Sequence, residues 1–230
     1  MLLGRKAEPF DDPDCLYELK FDGFRALAVV RDGDCQLISR NGNAFKSFAG
    51  LRVGLSSDLR VRSAVLDGEI ACLDSSGRSV FDDVFFRRRE PVFIAFDILS
   101  VGGDDLRFLP LYERKRELRR VMKSRPLRSL YCSHVEHQGV ALFDAACQHD
   151  LEGIVAKWKY GPYVAGREET TWWKIRNRDY SQWEGRSEMF ERPHEPRPAD
   201  FIGWDCVLRG SNVRAAPVPT PADSACRRCP

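Results

Sequence analysis

The sequence predicts an α+β domain of mainly antiparallel sheets with flanking helices. Three observations carry that expectation. Short strand-like runs recur from Tyr17 onward, only two segments have helical spacing, and Asp-Gly pairs punctuate the runs. A doubly wound parallel sheet would need a helix between most strands, and the chain does not offer them. No internal repeat is present.

The elements follow in order. Ala26 to Arg31 and Cys35 to Ser39 flank Asp32-Gly33-Asp34, and an Asp-Gly turn between two such runs predicts a hairpin. Ala64 to Leu66 and Glu69 to Leu73 read as strands broken at Asp67-Gly68. Pro91 to Leu99 is a nearly continuous apolar run, as in a strand buried on both faces. Leu111 to Met122 sets Leu111, Leu118, Val121 and Met122 on one stripe with charges elsewhere, which predicts an amphipathic helix. Val140 to His149 gives the second helix. Gly153 to Lys157 and Trp172 to Arg176 give further strands, on which Trp172 and Trp173 face opposite sides.

With 230 residues, 43% hydrophobic and 30% charged, the chain can bury a sizeable core, which excludes wholesale disorder. A net charge of +2 excludes a uniformly basic coat but not local patches. From Arg107 to Arg128, nine Lys or Arg against Glu113 and Glu117 leave a local charge of +7, and Arg87-Arg88-Arg89 adds a second cluster. Both suit phosphate contacts, and neither reads base sequence. No apolar run approaches the ~20 residues of a membrane helix. The N-terminal stretch lacks the apolar core of a secretory signal, so the expected location is cytoplasmic, with no membrane partner. Of eight cysteines, Cys35, Cys72 and Cys147 sit in apolar or alternating runs and are expected to be buried thiols. Only Cys226 and Cys229 form a CxxC, with no second pair to complete a zinc site.

The most informative stretch is Glu18-Leu19-Lys20-Phe21-Asp22-Gly23-Phe24-Arg25. A nucleophilic lysine must lose a proton whose ordinary pKa is about 10.4, which burial and neighbouring cations promote. If its electrophile is a nucleoside triphosphate, the site also needs cations for phosphates, acids for a divalent metal and an aromatic face for the base. The chain offers each in short segments: Ser39-Arg40-Asn41-Gly42, Asp67-Gly68-Glu69, Phe96-Asp97, Glu152-Gly153-Ile154-Val155-Ala156-Lys157 and Trp173-Lys174-Ile175-Arg176.

In this order the segments resemble the motifs of the covalent nucleotidyltransferases, the superfamily of DNA ligases, RNA ligases and mRNA capping enzymes. Within it they most resemble bacterial ATP-dependent DNA ligases, especially the repair-type ligase domain. Tyr180 to Arg186 is similar to a continuation found in small ligase-like bacterial proteins. The resemblance implies a nucleotidyltransferase (adenylation) domain over 1–200, a possible terminal strand or extension over 201–214 and a disordered tail over 215–230. Only 54 residues follow Arg176, too few with such a tail for the usual OB-fold domain.

It also implies roles. Lys20 would attack the α-phosphate of ATP and carry AMP to a DNA 5′-phosphate, and the 3′-hydroxyl would then seal the nick. Phe96 would stack on adenine, with Glu18 beside the base. Arg25 and Glu69 would hold the ribose or nearby phosphates, and Arg40 would contact ATP or the DNA 5′-phosphate. Lys157, Lys174 and Arg176 would hold phosphates and ease deprotonation of Lys20. Glu69 and Glu152 would bind a divalent metal, expected to be magnesium, and Asp22 would shape the turn after the nucleophile. Arg176 departs from the pattern, where lysine is commoner, and the two cations are not equivalent. The implied partners are nicked duplex DNA and a protein supplying a clamp. RNA ligation, guanylyl transfer or a non-catalytic nucleotide-binding relic stay open at this point.

Overall fold

The computed structural model describes residues 1–165 and 170–183; the expected extension over 201–214, the tail from 215 and the Cys226/Cys229 pair lie outside them. In chain order the elements are β1 (Gly4–Arg5), β2 (Cys15–Leu19), β3 (Phe24–Arg31), β4 (Asp34–Ser39), α1 (Ala49–Asp58), β5 (Ala64–Ala71), α2 (Phe81–Phe85), β6 (Val92–Val101), β7 (Asp104–Asp105), α3 (Leu111–Val121), β8 (Ser129–Tyr131), β9 (His134–Glu136), α4 (Gly139–Gln148), β10 (Gly153–Trp158) and β11 (Trp172–Arg176).

The strands form two sheets, ordered β1-β11-β10-β2-β9 and β4-β3-β5-β6-β7, with β8 added beside β6. All pairings are antiparallel except β1 with β11 and β6 with β8. The α+β class with mainly antiparallel sheets is thus observed. Between the sheets lies an apolar layer that includes Leu16, Leu27, Val29, Val65, Leu99, Val155 and Trp172. The far face of the second sheet packs on α1 and α3 through residues such as Ala28, Leu37, Leu51, Leu55, Leu118 and Val121. The far face of the first sheet packs on α4 through Tyr17, Ile154, Ile175 and Ala146. Alternation along each strand sends side chains into the two layers in turn.

The hairpin of β3 and β4 and the strands β6, β10 and β11 stand where the sequence places them. The stripe of α3 is buried as expected, but Arg114 and Lys115 are buried with it, at 0% and 2% exposure, so its charges are not all on the solvent side. The sequence gives no signal for α1. That helix starts at Phe48 in the left-handed region (φ 70°), has no side-chain cap and is secured by burial of Leu51 and Leu55. Cys35 and Cys72 are buried thiols, whereas Cys147 is only half-buried on α4.

The expected break at Asp67-Gly68 does not occur. β5 runs unbroken from Ala64 to Ala71, and the irregularity is a register shift against β6. Asp67 pairs with Asp97 and Gly68 with Ala95, so Phe96 is the extra, bulged residue. Gly68 is there for room: a Cβ would lie 2.5 Å from Phe93 Cζ and 2.6 Å from the Ile94 carbonyl oxygen. Gly68→Ala is therefore expected to lower stability by ~1–3 kcal/mol, as overpacking does, read from the denaturant midpoint.

Candidate active site

The cleft lies between the sheets, in the layer of Leu16, Val155 and Trp172. On the first sheet, Glu18 pairs with Val155, Leu16 with Lys157, and Val155 with Lys174, so these residues share the inner face. On the second, Arg25 pairs with Glu69 and Leu27 with Asp67, which brings both acids to the opposite inner face. Phe96 follows Val92 and Ile94 on the β6 face turned to the gap. The resulting cleft is lined by Glu18, Lys20, Arg25, Glu69, Phe96, Val155, Lys157 and Trp172, among others. Residues from four of the six resembling segments thus line one cleft, and Trp172 stands just before a fifth.

Lys20 follows β2, where its backbone N–H donates to the Gly153 carbonyl at 2.9 Å. Its ammonium donates to Glu152 Oε2 at 2.6 Å, and its side chain is 18% exposed. Gly23 closes this segment onto β5, because any Cβ there would lie 2.1 Å from the Ile70 carbonyl oxygen. Asp22 is buried. Its N–H donates to Ser79 Oγ at 3.0 Å, and its carboxylate accepts from the Tyr180 hydroxyl at 3.2 Å.

Two fully buried acids are matched by cations. Asp67 takes a two-point contact from Arg25, at 3.0 and 2.6 Å, and accepts from the Tyr163 hydroxyl at 2.8 Å. Burial pushes its carboxyl up, but the Arg25 guanidinium outweighs this and leaves it below the ordinary range. Glu18 accepts from Lys115 at 2.6 Å and from Lys157 at 2.5 Å, and these two lysines likewise overcome burial and hold it low. Lys157 sits over the rings of Trp172 and Phe96, at 4.0 and 4.5 Å. Burial lowers its own pKa despite Glu18.

Two other acids are not matched so well. Burial pushes Glu69 up to about 8 against the pull of Lys20 and Arg25. Glu152 is also raised by burial, even with Lys20 in contact. Carboxyls held this way are poised for a cation that brings more positive charge. Two of them match the way magnesium takes one or two carboxylates and completes its shell with phosphates and water. No cluster of three or more His, Cys, Asp or Glu suited to a metal occurs among the described residues.

The remaining expected residues stand nearby. Lys174 is lowered by burial, by Arg176 and by Lys20, so it lies in the same cationic field. Arg176 stacks 4.5 Å from the Trp183 ring, and its buried Nε has no hydrogen-bond partner among the described residues. Arg40 is exposed just beyond β4, and its charge reaches Lys174. Sequence reasoning missed Lys115 and Tyr163 and took Asp67 for a turn. Read as one unbroken strand, the DGE spacing would have put Asp67 and Glu69 on one face two residues apart. Nothing local marks Lys115 as the partner of Glu18.

Residues 5–176 match the family model described as the ATP dependent DNA ligase domain. The chain belongs to that family. This ligase domain is 32% identical over 190 residues to the SPbeta prophage-derived DNA ligase-like protein LigB of Bacillus subtilis, covering 79% of this chain and 68% of that protein. It is 30% identical over 168 residues to the multifunctional non-homologous end joining protein LigD of Pseudomonas aeruginosa, covering 70% of this chain and 20% of LigD. Among solved structures it resembles mycobacterial DNA ligase D complexed with ATP and MES, with a TM-score of 0.66 and 26% identity over 76% of this chain and 59% of that one. The ligase domain from M. tuberculosis LigD gives 0.65 and 25%, with the same coverage. The chain thus spans about two thirds of LigB and one fifth of LigD.

The Glu69 shift predicts a pH effect on the ligase domain. A carboxyl raised from 4.5 to about 8 favours folding in its protonated form. That contribution is complete below the lower value and lost as pH rises through the upper one. Glu69→Gln should therefore flatten the fall in unfolding free energy between those pH values, measured by denaturant titration without divalent metal.

Proposed function

We propose that this ligase domain joins DNA strands through a lysyl-AMP intermediate on Lys20, using ATP and magnesium. The observation that carries the reading is the 2.6 Å contact between Lys20 Nζ and a carboxylate whose proton affinity burial has raised. Glu152 is in hydrogen-bond reach to take the ammonium proton. The freed amine then attacks the α-phosphorus of ATP. A P–N bond forms, the bond from the α-phosphorus to the bridging oxygen breaks, and pyrophosphate leaves. The 5′-phosphate of a nick next displaces Lys20 from the AMP phosphorus, and the 3′-hydroxyl finally expels AMP as the strand closes.

The residues divide this work. Phe96 offers its face to adenine, Val155 lines the facing side, and Glu18 stands at the base edge. Arg25, locked by Asp67, presents a fixed guanidinium for the ribose side, while Lys174, Arg176 and Arg40 balance phosphate charge. Magnesium would be held by Glu69, joined by Glu152 once the proton taken from Lys20 has left it, and would supply charge neutralisation at the phosphates. Asp22 fixes the turn after Lys20. The names of the LigD relatives, non-homologous end joining and, for Mycobacterium tuberculosis, DNA repair, support a role in DNA repair, in which a partner protein would supply a clamp. The five free cysteines among the described residues suit a reducing compartment such as the cytoplasm.

The test is joining of a 5′-labelled nicked duplex by the purified chain. Joining is expected with ATP and not with GTP, and Lys20→Ala should reduce it to background. Phe96→Ala should raise the ATP concentration needed by about tenfold, the scale of one lost base–aromatic stack. Equal joining by Lys20→Ala would overturn the assignment.

A further inference from the structure

The basic segment from Arg107 to Arg128 divides in the structure. Arg114 and Lys115 are buried in ion pairs with Asp97 and Glu18. Arg107, Arg120 and Arg128 pair with Asp105, Glu117 and Glu90. Arg116 and Arg119 stay exposed on α3, and neither makes an ion pair among the described residues. They line a groove separate from the catalytic cleft. No residue lines both. The Lys115–Glu18 pair forms the partition between them.

The groove is also aromatic. Tyr112, Tyr131 and Tyr160 line it, and the exposed rings of Tyr112 and Tyr160 meet edge to face at 6.0 Å. Trp158 continues the row beside Tyr160 at 6.2 Å. Arg119 lies 4.9 Å from the Tyr131 ring and Lys159 5.2 Å from the Tyr160 ring. Glu136 is the acid of the groove, and Lys159 lies 3.9 Å from its carboxylate. On the same wall, His134 Nδ1 is buried without a hydrogen-bond partner among the described residues.

Cations interleaved with open aromatic faces suit one kind of ligand. Phosphates take the arginines, and unstacked bases take the rings. The bases of a duplex are already stacked on each other, so a duplex cannot use these faces. We propose that this groove holds a short single-stranded stretch of nucleic acid, with its backbone along Arg116 and Arg119 and its bases on Tyr112 and Tyr160. The site lies outside the AMP-transfer cleft and would give the enzyme a hold on a frayed or overhanging strand near the joint.

The test is fluorescence anisotropy with a labelled oligothymidylate of about ten nucleotides, a length within the range such sites span. The full chain should bind it. The double variant R116S/R119S should bind about tenfold more weakly, and its dependence on log salt should flatten by about 1.4, or ~0.7 for each lost phosphate contact. Tyr160→Ala should weaken binding about tenfold with the salt dependence unchanged. Covalent labelling by α-labelled ATP should be unaltered in both, which separates this proposal from the nucleophile assignment. Binding by the variants equal to that of the parent would overturn it, as would no binding by the parent. Loss of ATP labelling in the variants, or tighter binding of a polyaspartate peptide that ignores Tyr160→Ala, would also overturn it.

Discussion

Two sheets meet across an apolar layer and yet carry charge into it, and three of the buried carboxylates there are each answered by a cation. Leaving one such group unpaired costs about 3–5 kcal/mol, a large part of a domain's stability. Asp97 has Arg114, both fully buried; Asp67 has Arg25; Glu18 has both Lys115 and Lys157. These pairs tie β2, β3, β5, β6, β10 and α3 to one another in a single alignment. Around Lys20 the compensation is incomplete. Glu69 and Glu152 both have raised proton affinity because burial outweighs the cations beside them. The cleft is therefore rigid where charges are matched and receptive to positive charge where they are not.

Backbone detail serves the same arrangement. One bulged residue on β6 lets Phe96 and Asp97 follow each other on the inner face, where Phe96 meets Arg25 at 5.2 Å and Trp172 at 5.9 Å. Gly68 opposite that bulge admits the Phe93 ring, and Gly23 lets the chain after Lys20 lie against β5. Such positions look like turn residues because turns and close approaches call on the same small side chain.

Much of this was legible before the structure. The alternating runs predicted the strands, and the ordered motifs brought Lys20 together with Glu152 and Glu69 from distant parts of the chain. What was not legible depended on distance or on burial without local sign. Lys115 sits in a helix crowded with charges and reads as solvated, because its partner Glu18 lies 97 residues away. Arg114 hides in the same run. Asp67 before a glycine carries the local chemistry of a turn, and only the pairing of β5 with β3 and β6 makes it a strand residue. The helix α1 has neither cap nor strong periodicity, so packing decides it.

The central claim is that charge imbalance around Lys20 makes it the acceptor of AMP. It is tested most directly by digesting the ATP- and magnesium-treated protein and mapping the adduct by mass spectrometry. The account predicts one AMP per chain, on the peptide that contains Lys20, removed again by added pyrophosphate. An AMP on another residue, or a chain that stays unmodified throughout, would contradict it.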